Sequence, residues 1–190
     1  MLLWPLKCLH NPGAAPLAGR ATYNQYLNGM LRFNHQMGVI HYMFLTGDGM
    51  SMHRGEWRVH ASAVDDVCVI EDSLAWLCGD RDSVSTKNDK SALGAPMYTI
   101  SASMNSKQSL FSMGRLEASS IDEILESGLE SRIDEDNFLH LRIDLASLTM
   151  GRAAVSFDKH SMVAKGRFKL EVYPGQSAYE VARSIFEGLV

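Results

Sequence analysis

The chain has 190 residues, 46% of them apolar and 21% charged, which is enough to bury the core of one ordinary domain. A net charge of −4 and a pI near 5.9 argue against bulk electrostatic binding to nucleic acid or anionic membrane, and leave room for a local basic patch. Three scattered cysteines exclude a disulfide framework, and no stretch is long and apolar enough to span a membrane, so an intracellular, cytoplasmic setting is expected.

Residues 1–20 hold Pro5, Pro12 and Pro16 with little periodicity and read as an extended N-terminal arm. Leu2, Leu3, Trp4 and Leu6 make its tip apolar; local folding cannot hide that surface, so the arm is expected to dock on a neighbouring subunit. Residues 21–190 read as one α+β domain, mainly antiparallel sheet, with about three helices near 22–36, 120–128 and 177–188. Thr22 with Gln25, Ser120 with Glu123 and Ser177 with Glu180 are the three capping-box signals.

The segment 38–64 reads as a central hairpin. Val39 to Thr46 is apolar on both faces, Gly47-Asp48-Gly49 breaks it, and Glu56 to Ala63 alternates with Trp57, Val59, Ala61 and Ala63 on the inner side. Direct pairing would set Leu45 against Trp57 and His41 against Ala61. A tighter turn would instead bring His41 and His53 to one face. That arrangement makes His41 and His53 candidate metal ligands or general bases, with Asp48 or Glu56 as acidic or orienting partners, although no third ligand follows at a metal-binding spacing. No cofactor is expected.

Val67 to Leu77 reads as one or two strands containing Cys68, with Cys78 just beyond, both cysteines being taken as small core residues; 80–95, polar and turn-rich, reads as a mobile loop. Met97–Met104 alternates as a strand with Tyr98, Ile100, Ala102 and Met104 inward, and Leu110 to Glu117 reads as its return strand. Residues 117–136 are strongly acidic. Strands are expected over 138–145, 152–157 and from Phe168 to Val172, before the C-terminal helix. Lys159, Lys165, Arg167 and Lys169 form a basic patch within 152–169, suited to an acidic partner.

No GxSxG, GxGxxG, phosphate loop, CxxC or HExxH occurs. The apolar arm and the separated acidic and basic regions lead to the expectation of a non-catalytic structural or protein-interaction protein that self-associates as a homo-oligomer, in the manner of a viral matrix-like or coat-associated subunit. The alternative is a small metal-dependent enzyme or ligand-binding domain using the histidines of 38–64.

Overall fold

The computed structural model describes residues 52–189, apart from 92, 127 and 159. Five strands form one antiparallel sheet: β1 (Met52–Ser62), β2 (Val84–Lys90), β3 (Pro96–Asn105), β4 (Phe138–Asp144) and β5 (Val163–Leu170), in the order β2-β3-β1-β5-β4. Five α-helices accompany them: α1 (Val67–Cys78), α2 (Ser106–Met113), α3 (Ala118–Glu126), α4 (Leu145–Thr149) and α5 (Ala178–Glu187), with a 3₁₀ turn at Leu129–Arg132. The α+β class read from the sequence is the class observed.

Period-two alternation sends Trp57, Val59, Ala61, Ile100, Ala102, Leu139, Leu141, Ile143, Ala164 and Phe168 to the inner face, where the helices close over them. The centre of that core is an exchange between two strands. Trp57 stands opposite Gly166 and Phe168 opposite Gly55. A Cβ on Gly166 would come within 2.5 Å of the Trp57 ring, and one on Gly55 within 2.4 Å of Phe168, so each glycine makes room for the other strand's ring. The two rings meet edge to face at 5.2 Å, and the Trp57 indole N–H donates to the Ser112 hydroxyl at 2.6 Å.

The helix predicted near 120–128 is α3, although Ser120 lies within it and its hydroxyl accepts from the Val155 N–H instead of capping the helix. The helix predicted at 177–188 is α5, with both bonds of the Ser177/Glu180 box formed. The helix near 22–36 and the 1–20 arm lie outside the described residues.

Other expectations are corrected. Residues 67–77 form α1 rather than strands: Ile70, Leu74, Leu77 and Cys78 are buried at helical spacing, Asp66 caps the start, and Gly79 ends the helix at φ +75°. Cys78 is buried, and burial pushes its thiol up to about 12; Cys68 is exposed rather than in the core. The stretch read as a return strand from Leu110 begins as α2, opened by reciprocal bonds between Asn105 and Gln108. The 80–95 segment contains β2, a polar strand at the sheet edge whose charged residues discourage further pairing. At the other edge, residues 153–156 lie along β4, with the Ser156 N–H donating to the Arg142 carbonyl at 2.7 Å.

The hairpin register does not hold. Trp57 pairs with Ala102 on one side and Gly166 on the other, so its ladder positions are taken by β3 and β5, while residues 39–46 lie outside the described residues.

Candidate nucleic-acid interface

The residues that alternate away from the core make the outer face of the sheet. The register brings nine of them, from three adjacent strands, into a grid. Arg58, Lys165 and Arg142 form one row; Glu56, Arg167 and His140 the next; Arg54, Lys169 and Phe138 the third. Neighbouring strands are about 4.8 Å apart and successive rows about 6.8 Å. Six of these nine side chains are Arg or Lys and one is acidic.

Like charges directly opposite each other destabilise a sheet. Lys165 nevertheless lies between Arg58 and Arg142, and it and Arg54 form no ion pair or hydrogen bond with other described residues. Glu56 binds Arg58 through both carboxylate oxygens, at 2.9 and 3.0 Å. The Arg167 guanidinium sits 3.6 Å over the Phe138 ring, with the Lys169 ammonium 4.8 Å from the same ring. Lys169 also donates to the Asp136 carbonyl.

Asp134 borders the grid at its β4 edge. Its carboxylate bonds His140 Nε2 at 2.8 Å and lies 4.0 Å from Arg167, and it accepts from the Phe138 and Asp136 N–H groups. These bonds, that from His140 foremost, hold the Asp134 carboxyl below the usual carboxylate range. Toward β2 hydroxyls join the face: Thr99, Ser101 and Ser103 of β3 stand opposite His60, Arg58 and Glu56, and on β2 Ser85 stands opposite Ser101, Lys87 opposite Thr99 and Asp89 opposite Met97.

Of the residues singled out from the sequence, Lys165, Arg167 and Lys169 belong to this grid. Their partners Arg54, Arg58 and Arg142 were missed, because they come from strands whose pairing with 163–170 is invisible in a linear reading. Glu56 lies on the same face as the partner of Arg58. His53 is exposed on β1, and among the described residues no three His, Cys, Asp or Glu side chains gather into a metal-holding group. Leu2, Leu3, Trp4, Leu6, His41, Asp48 and Lys159 lie outside the described residues. No described helix is long and apolar enough to cross a membrane.

A family model described as RNA binding matches residues 56–169, more than half of the chain and from β1 through nearly all of β5. No curated protein matches. Among solved structures, a DUF54 protein from Archaeglobus fulgidus is similar at 23% identity with a TM-score of 0.60, covering 70% of this chain and 99% of its own. A DUF54 protein from Methanothermobacter thermautotrophicus is similar at 20% identity and 0.57, covering 72% and 98%. One from Sulfolobus solfataricus is similar at 15% and 0.54, covering 70% and 98%. At such identities the likeness speaks for the fold alone.

The family match overturns the expectation of a self-associating structural or protein-interaction protein, and with it the metal-enzyme alternative. It also overturns the partner expectation, which took net charge as evidence against nucleic acid. Net charge averages over a surface on which strand alternation has sorted the cations onto one face.

Proposed function

The chain belongs to the RNA-binding family, and we propose that it binds RNA through the outer face of its sheet, with Arg54, Arg58, Arg142, Lys165, Arg167 and Lys169 contacting phosphates. The observation that carries this reading is the row Arg58–Lys165–Arg142, three cations in register on adjacent strands. Glu56 holds Arg58 and the Asp158 carbonyl accepts from Arg142, but Lys165 between them has no partner among the described residues, and a polyanion laid across the row would relieve the repulsion that remains. Arg54 and Lys165, which have no ion pair or hydrogen bond with other described residues, are the cations readiest to meet a phosphate. Arg167, braced on Phe138, presents a preorganised guanidinium. An intracellular, cytoplasmic location fits an RNA partner.

The test is fluorescence anisotropy with labelled RNA, using the double variant Arg54→Glu/Lys165→Glu. Affinity should fall by about tenfold or more, with circular dichroism unchanged. Arg183→Glu serves as the control, since Arg183 lies on α5 and pairs with Glu187 there. Equal losses in both proteins, or none in the double variant, would remove the sheet face from RNA binding.

A further inference from the structure

From the distribution of side chains on the outer face, we infer that its ligand is base-paired, helical RNA, held by phosphates and ribose hydroxyls rather than by stacked bases. This rests on the reading that the face binds RNA. Single-stranded RNA is generally gripped by laying its bases on open aromatic rings. Among the outward positions of the five strands Phe138 is the only Phe, Tyr or Trp, and Arg167 and Lys169 already occupy its ring. The imidazoles are engaged as well: His140 with Asp134, and His60 with the Thr99 hydroxyl at 3.2 Å.

The face offers instead two kinds of polar group side by side. Cations predominate on β1, β5 and β4, and β3 with β2 presents the hydroxyls of Thr99, Ser101, Ser103 and Ser85, with Lys87 and Asp89 at the outer edge of β2. The shallow minor groove of helical RNA presents the matching order, with lines of 2′-hydroxyls flanked by phosphates. Five strands span about 19 Å between the edge strands, broad enough to lie across such a groove. Hydroxyls beside the cations also give the face a means of separating RNA from DNA, since a 2′-hydroxyl can both donate to and accept from them.

The experiment compares three probes of equal length at one salt concentration: an RNA duplex, its unstructured pyrimidine strand alone, and the DNA duplex of the same sequence. The RNA duplex should bind about tenfold more tightly than either of the others. Ser101→Ala/Ser103→Ala should narrow the gap between the RNA and DNA duplexes while leaving DNA binding unchanged. A single strand that binds as tightly as the duplex overturns the inference, as does a DNA duplex that binds equally well or a gap that the serine variant does not narrow. Failure of both RNAs to bind, or insensitivity of RNA binding to Arg54→Glu/Lys165→Glu, would instead overturn the underlying reading.

Discussion

Lys165→Glu should move stability and RNA affinity in opposite directions. Lys165 has a cation opposite it on both sides, Arg58 on β1 and Arg142 on β4. Reversing its charge converts two repulsive cross-strand pairs into attractive ones, each worth roughly 0.2–1 kcal/mol in a favourable setting. Lys165 and Arg58 are exposed, so solvent screening discounts this to a net stabilisation of about 0.5 kcal/mol. The same change removes one proposed phosphate contact and places a carboxylate on the face proposed to meet the RNA. Affinity should fall by about tenfold, and the slope of log K against log salt should become shallower by about 1. Urea unfolding gives the first quantity, and anisotropy titrations between roughly 50 and 200 mM salt give the second. A variant destabilised by more than about 1 kcal/mol would show that Lys165 supports the fold and that the register argument is wrong. Unchanged affinity and slope would show that no phosphate lies near it.

Glu56→Gln should tighten RNA binding and steepen the salt slope by about 1, because it frees Arg58 from its carboxylate partner; looser binding in the same titration would mean that Glu56 positions Arg58 for the ligand. Gly166→Ala should destabilise the fold by about 1–3 kcal/mol in urea unfolding, since the new methyl meets Trp57 at 2.5 Å and this overpacking outweighs the strand preference for Ala over Gly of about 0.5–1 kcal/mol. Asp134 has a folded pKa below its unfolded one, so the stability it contributes is complete above its ordinary value and disappears as pH falls below about 4 through the lowered folded value. Asp134→Asn should therefore flatten the acid limb of Tm against pH, and limbs that run parallel in variant and wild type would remove Asp134 from that role.

What was legible in the sequence was whatever carried a local period. Trp57, Val59 and Ala61 announced β1, Leu139, Leu141 and Ile143 announced β4, and Ser177 with Glu180 announced α5 before any contact was known. α1 misled because Val67, Val69 and Ile70 favour strands, while its decisive signals were the flanking Asp66 and Gly79. β2 was overlooked because an edge strand exposed along most of its length lacks the apolar alternation that advertises a strand. The site was half legible. Lys165, Arg167 and Lys169 alternate visibly along one strand, but Arg142 stands more than twenty residues before them and Arg58 more than a hundred. The expected pairing of 56–63 with 39–46 also gave Arg58 the wrong neighbours.

For a chain of net charge −4, the proposed binding of a polyanion rests on where the charges lie. Asp122, Glu123 and Glu126 project from α3, whose Ile121 and Ile124 join the core beneath the inner side of the sheet. A phosphate on the outer face is separated from those carboxylates by the thickness of the sheet and its helical layer, about 10 Å or more, while screening at physiological salt acts over about 8 Å. The phosphate therefore responds chiefly to the grid beneath it. Asp134 is the acidic group on the border of that grid, beside His140 and Arg167 at the β4 edge. Its carboxylate repels phosphate there and draws part of the Arg167 charge toward itself, while Arg54, Arg58 and Lys165 lie toward the middle of the sheet. The centre of the RNA contact is accordingly expected over β1 and β5, with β4 as its margin, so charge reversal at Arg54 or Lys165 should weaken binding more than the same change at Arg142.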